Sequence, residues 1–333
     1  TWTGAVSYAQ ILLVSFLGAV LLAFDNPARQ ALVPELVPRS ELLSAISLNA
    51  VVFTGAALVG PAVAGLLLAA AGDELYRGAA VVFGLNAVSY LAVLVPVVWW
   101  IRVPPRPRPA APASFGAELR EGLQYVATRR PLVLLLLLTA ATSVFGRSFA
   151  QLLPVFARDV LGVGPDGLGL MYAAPGAGTL IGGTALAARR GAGAGRRLVA
   201  GATAAFALSI FGFAASRSYP LSLLLLFAGG VAATVAGATI ATLLQAHAPG
   251  ALRGRIMSLQ TLAIIGMGPL GGLLSGALAT RLPAPVAVSA TAAVLLVLLL
   301  GIVATQPAWR EVDAGVAPRD PPAGTARGAG PSG

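Results

Sequence analysis

Of 333 residues, 57% are hydrophobic and only 10% charged, with a mean hydropathy of +0.85, whereas a water-facing domain carries about 25% charge. The net charge of +10 comes from 22 basic residues, all of them arginine, and most fall between apolar runs instead of forming one basic face, so nucleic-acid binding is excluded. Cysteine is absent and His247 is the sole histidine, which excludes disulfide scaffolds, thiolate zinc sites, cysteine nucleophiles and His-rich metal centres. No metal and no cofactor is expected.

Charge-free runs cover 1 to 24, 42 to 72, 78 to 101, 167 to 188, 198 to 216, 218 to 252, 256 to 280 and 282 to 309, and one more, 131 to 157, is interrupted only by Arg147. About 20 apolar residues at 1.5 Å rise cross a hydrocarbon core of roughly 30 Å, so the runs predict nine transmembrane helices in an all-α membrane protein. A β-barrel would need alternating segments of about 10 residues, and none is present. Residues 102 to 115, RVPPRPRPAAPASF, read as a Pro-rich basic linker, followed over 116 to 130 by an amphipathic stretch expected along the membrane surface. Residues 310 to 333 are rich in Gly, Pro and charge and read as a disordered tail.

Arginine sets the orientation. Seventeen of the 22 lie in alternate connections and the tail, and the positive-inside bias assigns those segments to the cytoplasm. The C-terminus is then cytoplasmic, in a cell (inner or plasma) membrane. The complete use of arginine in place of lysine suggests a GC-rich bacterial source.

Sliding the chain against itself by 211 positions without a gap superposes Phe16 on Phe227, Gly18 on Gly229 and Pro38 on Pro249, and then Gly55, Gly60 and Gly65 on Gly266, Gly271 and Gly276. A shared proline and in-phase glycines across two helices indicate two structural repeats. The second repeat extends upstream through three more helices whose partners fall before Thr1. The expectation is a twelve-helix architecture of which this chain holds nine helices and lacks the first three. Its parts are then 1–101, the remainder of the N-terminal bundle; 102–130, the cytoplasmic linker; 131–309, a six-helix C-terminal bundle; and 310–333, the tail.

Several stretches sharpen this picture: FDNPARQALVPELVP (Phe24 to Pro38), LLSAISLN after it, GPAVAG (Gly60 to Gly65), LNAVSYLAV (Leu85 to Val93), LLPVFARDVLG (Leu152 to Gly162) and RGRIMSL (Arg253 to Leu259). Together with the six-plus-six plan, they resemble the major facilitator superfamily, in the branch of enterobactin exporters and macrolide-efflux proteins. The resemblance implies a secondary transporter that exports a small amphipathic, drug-like or siderophore-like molecule by alternating access, driven by protons, as a monomer and not an enzyme. The sequence also departs from the family: Ala188 stands where the gating motif has Asp, Val14 where drug exporters have Arg, and Ala64 where the antiporter motif has Gly.

Arg147 is the most informative residue. Thr139, Ser143, Arg147 and Gln151 recur every four residues, which on a regular helix makes one polar stripe. A centrally placed arginine costs about 2.5 to 3.5 kcal/mol on insertion scales. Ser143, Arg147 and Gln151, with Asn86, are the expected cavity lining, where Arg147 attracts an anionic group or pairs with an acid; the competing reading has Arg147 snorkelling to the interface. Asp25 and Arg29 are one turn apart, either a coupling site for protons or a structural ion pair. Gly55, Gly60, Pro61 and Gly65, and Gly268, Pro269 and Gly271, mark helices that pack closely or bend between states. Arg189, Arg190, Arg253 and Arg255 form a candidate cytoplasmic gate, or only enforce topology. No Walker sequence occurs, so ATP is not hydrolysed by this chain. A channel would need a repeated polar filter and a membrane enzyme a set of paired catalytic groups, and neither is visible. A fragment incompetent for transport is the remaining alternative.

Overall fold

The computed structural model describes residues 7, 9–10, 12–18, 20–21, 25, 32, 36–38, 41–70, 75–100, 115–188, 195–249 and 252–313. Its helices, in chain order, are α1 (Leu42–Ala70), α2 (Leu75–Val95), α3 (Phe115–Ala127), α4 (Arg130–Ala141), α5 (Pro165–Ala188), α6 (Arg196–Ala215), α7 (Tyr219–His247), α8 (Arg253–Thr261), α9 (Gly268–Ala279), α10 (Ala284–Thr305) and α11 (Ala308–Glu311). A proline sits in the first two positions of α4, α7, α9 and α10, where its missing N–H has no intrahelical partner to lose and its fixed φ suits the helix.

Among the described residues six helices are long and apolar enough to cross a membrane: Gly78–Trp100, Arg130–Val160, Arg196–Ala215, Tyr219–His247, Arg253–Ala279 and Ala284–Thr305. Two further predicted spans, α1 and α5, are helices of 29 and 24 residues. The apolar character of α5 is diluted by its glycines and by Pro175. The first predicted span, 1 to 24, lies largely outside the described residues.

Packing concentrates in the half of the chain from α4 onward. One cluster of buried side chains joins Phe149, Leu153, Phe156, Phe206, Ile210, Phe213, Leu226, Val288 and Leu295, with the Phe156 and Phe213 rings 4.6 Å apart. A second joins Val126, Leu132, Leu135, Val199, Leu243, Leu244, Ile256, Leu299, Trp309 and Val312. Between the two levels lie the buried hydroxyls of Thr139, Ser143, Ser148, Thr203 and Thr239. Lipid offers apolar side chains no incentive to leave it, so close van der Waals contact and hydroxyl bonding hold such a bundle. The helix interfaces show this. Gly178 and Gly182 of α5 face the backbone of α7 at Phe227 and Val231, and Gly230 of α7 faces the Pro175 carbonyl.

α1 crosses α5 in the same manner. A Cβ on Gly65 would lie 2.8 Å from the Pro165 carbonyl oxygen and 2.9 Å from Gly169 Cα, and one on Gly169 would lie 2.7 Å from the Pro61 carbonyl oxygen. Two glycines at the crossing bring the backbones into contact. Side chains of α2, by contrast, stand mostly exposed along the Gly78–Trp100 span.

Two extramembrane pieces dock on the bundle. The predicted amphipathic stretch forms α3, whose Val126 is buried in the second cluster; Glu121 pairs with Arg255 of α8, and the Tyr125 hydroxyl donates to the His247 carbonyl at 3.4 Å. At the C-terminus the expected tail begins too early. Trp309 and Val312 are 3% and 0% exposed, because the apolar face of Ala308, Trp309 and Val312 turns against the ends of the bundle helices, while Arg310 and Glu311 stay exposed. Asp313 receives the backbone N–H of Arg196 at 2.7 Å and its Nε at 3.0 Å, which caps α6 from 117 residues away.

Candidate functional site

The span from Arg130 to Val160 is not one regular helix. α4 gives way to a π turn over Thr142–Gly146, a 3-10 stretch over Ser148–Leu152, a short helical turn over Leu153–Val155 and another π turn over Phe156–Val160. Arg147 stands at the junction of the first two: its N–H donates to the Thr142 carbonyl at 3.1 Å, a five-residue step, and its own carbonyl accepts from Ala150 at 3.2 Å. Local chemistry favours the break. Thr139 and Thr142 each return a hydroxyl to the carbonyl four residues earlier, at 2.9 and 2.8 Å, and such back-bonding bends helices. Gly146 removes the side chain where α6 presses closest, since a Cβ there would lie 2.5 Å from the Phe206 ring. π turns of this kind are frequent at functional sites.

A second span breaks opposite the first. α8 passes through a π turn over Leu262–Gly266 before α9 begins at Gly268. A Cβ on Gly271 would sit 2.5 Å from the Val144 carbonyl oxygen and 3.1 Å from that of Ser143, and one on Gly272 3.4 Å from Gln151 Cγ. The first irregular segment therefore packs against the start of α9, just past the second break. Ser148 anchors the first to α10, its hydroxyl 3.1 Å from Thr291 Oγ1, which in turn donates to the Val288 carbonyl at 3.0 Å.

Arg147 is the eighteenth residue of its 31-residue span, exposed, and forms no hydrogen bond or ion pair through its side chain among the described residues. Of the expected stripe, Thr139 and Ser143 are buried, 6% and 3% exposed, while Arg147 and Gln151 are exposed. The π turn adds a residue to one helical turn and the 3-10 stretch tightens the next, so four-residue spacing does not keep one face through the break. Tyr172 of α5, which the sequence did not single out, is exposed and donates its hydroxyl to the Ala150 carbonyl of the irregular segment at 3.2 Å. The signal available in the sequence was a lone tyrosine in a glycine-rich helix, which is weak.

The other predicted residues are dispersed. Asn86 is exposed on α2, its carbonyl accepting the Ser89 hydroxyl at 2.7 Å, and that helix packs chiefly on α1. Gly65 and Gly271 make backbone approaches, whereas a Cβ on Gly55, Gly60 or Gly268 would meet open space. Pro61 contributes its carbonyl to the α1–α5 crossing, and Pro269 opens α9. Arg253 is exposed and Arg255 pairs with Glu121. Arg29, Arg189 and Arg190 lie outside the described residues, so neither the Asp25–Arg29 pair nor the full arginine gate is described. Among the described residues no group of three or more His, Asp or Glu is arranged to hold a metal ion.

Several apolar spans, two of them interrupted by irregular turns, suit a carrier, and comparison with known proteins agrees. A family model described as transmembrane secretion effector matches residues 1–324. The chain belongs to the transmembrane secretion effector family. The chain is accordingly a multi-pass membrane transporter of the major facilitator type. No curated protein matches it. Its fold is similar to that of a bacterial homologue of the human lysosomal transporter Spinster, solved inward-facing and unoccupied, with a TM-score of 0.57 over 94% of this chain and 79% of the other, at 16% identity. At that identity the likeness concerns the fold alone.

Proposed function

We propose that this transporter exports a small amphipathic molecule bearing an anionic group, by alternating access and at the expense of the proton gradient, with Arg147 as the residue that draws the anion into the site. The observation that carries the proposal is the position of Arg147: a charge near the middle of a span, at a helix break, exposed and without a partner among the described residues. A site that maintains such a charge against its insertion cost of about 2.5 to 3.5 kcal/mol uses it. Gln151 and the Tyr172 hydroxyl offer further exposed hydrogen-bonding groups on or against the same irregular segment, and exposed apolar side chains such as Val155 suit the non-polar part of the cargo. The α1–α5 crossing at Gly65 and Gly169 is the contact that tightens or opens as the two halves rock, and Arg253, Arg255, Arg189 and Arg190 lie on the cytoplasmic side, as does the C-terminus.

Efflux of a preloaded anionic amphipathic dye from energised cells tests this reading. Expression of the chain is expected to accelerate efflux, a protonophore to abolish the acceleration, Arg147→Ala to reduce it by about tenfold or more, and Arg147→Lys to retain part of it, since a hydrogen bond to a charged group contributes about 1.5 to 3 kcal/mol. An acceleration that is unchanged in Arg147→Ala, at equal membrane abundance, removes Arg147 from the site.

A further inference from the structure

Away from the helix breaks, a cavity of about 430 Å³ opens between the start of α6 and the end of α10, lined by Arg196, Arg197, Ala200, Val303, Trp309 and Arg310. Three arginines line it and no acid does. Asp313 lies just behind, holding Arg196 by its Nε at 3.0 Å; this fixes one guanidinium and leaves Arg197 and Arg310, both exposed, without an ion pair among the described residues. Glu311, next to Arg310, is not part of the lining.

The depth of the cavity identifies its occupant. Arg196 is the first residue of one span and Thr305 the last of another, so the cavity stands at the headgroup level of the bilayer. Trp309 forms one wall at 3% exposure, a residue type that collects at that interface. Below the arginines, Val303, Leu300 and Val297 follow one another at three-residue intervals along α10, 41%, 56% and 67% exposed. They make an apolar ridge running from the cavity into the hydrocarbon region. A soluble anion would use the arginines and have no use for the ridge; a phospholipid uses both.

We infer that this cavity is a binding site for an anionic phospholipid, with the phosphate held among Arg196, Arg197 and Arg310 and an acyl chain lying along Val303, Leu300 and Val297. Basic pockets between membrane helices recognise anionic headgroups in this way. The bound lipid ties the α6 end to α10 and α11, beside the contact that Asp313 already makes.

Native mass spectrometry of the full chain in detergent, titrated with dioleoylphosphatidylglycerol or dioleoylphosphatidylcholine, reads the site. Wild type is expected to prefer phosphatidylglycerol by tenfold or more. Arg197→Gln/Arg310→Gln loses that preference, and Arg310→Gln alone, outside the spans, lowers it severalfold with an unchanged melting temperature. Arg217→Gln/Arg281→Gln, which removes two exposed arginines in the connections just beyond the opposite ends of the same two helices, keeps it. Inorganic phosphate at millimolar excess does not displace the lipid. The inference fails if the cavity variants keep the wild-type preference, if the opposite-end variant loses as much, or if inorganic phosphate displaces the lipid, which would make the site one for a free anion.

Discussion

Replacing Gly169 with alanine places a methyl group where α1 and α5 already touch backbone to backbone. The new Cβ would lie 2.7 Å from the Pro61 carbonyl oxygen and 3.0 Å from Gly65 Cα, while carbon and oxygen settle near 3.3 to 3.6 Å. The helices must part by at least about half an ångström, and overpacking of this kind costs about 1 to 3 kcal/mol. Alanine returns about 1 kcal/mol through its higher helix propensity, so a net loss of up to about 2 kcal/mol is expected, and a clear deficit against alanine at an open position, which keeps the gain without the clash. Gly65→Ala meets the Pro165 carbonyl at 2.8 Å and strains the same contact. Once the helices have separated for one methyl, the second costs less, and the double variant should lose less than the sum of the singles. Gly60→Ala is the internal control: nothing lies within 4 Å of its Cβ, so it should be neutral or slightly stabilising. Unfolding in mixed micelles of rising dodecyl sulfate fraction, followed by tryptophan fluorescence, measures all four variants. If Gly169→Ala unfolds with Gly60→Ala, or if the double variant is simply additive, the backbone contact between α1 and α5 does not exist as described.

Thr203 is wholly buried, and its hydroxyl has no hydrogen-bond partner; Thr203→Val removes an unsatisfied group at constant shape, and an unchanged or raised stability by up to about 1 kcal/mol is expected from the same micelle titration. Asp313→Ala strips the cap and ion pair from the first turn of α6, and a loss of about 0.5 to 2 kcal/mol should accompany faster amide exchange in that turn. Glu121→Gln breaks the pair with Arg255. Because Glu121 is more than half exposed, the global cost should stay below about 1 kcal/mol, with increased exchange confined to α3; exchange rising equally across the bundle would show that α3 is more than a docked appendage.

Much of the helical plan was readable because charge is so scarce that its position marks the ends of spans. Pro131, Pro220, Pro269 and Pro285 then start their helices where proline is tolerated best. Glycine was readable as a class but not residue by residue. Within one cluster Gly65 is pressed against Gly169 while Gly55 and Gly60 face open space, a distinction that depends on which helix lies opposite. The stripe from Thr139 to Gln151 was drawn on a regular helix, and the hydrogen bond from Arg147 to the Thr142 carbonyl changes its phase halfway along. Beside the local threonine back-bonding, Gly146 meets Phe206 there, a contact sixty residues distant in the chain. Asp313 was placed in a disordered tail because its neighbours are Gly, Pro and charge; its partner Arg196 supplies the order, and no local pattern announces a cap from so far away. The hydroxyl of Tyr172 is illegible for the same reason, since its partner is a carbonyl in another span.

Flux through purified protein in liposomes puts the role of Arg147 to trial without cellular background. With an imposed pH gradient and an anionic amphipathic dye inside, wild-type chain is expected to release dye in a saturable manner, and Arg147→Ala to release it about tenfold to a hundredfold more slowly at equal protein content. Wild-type release no faster than from protein-free liposomes, or release by Arg147→Ala equal to wild type, would contradict an anion-drawing arginine at the heart of this transporter.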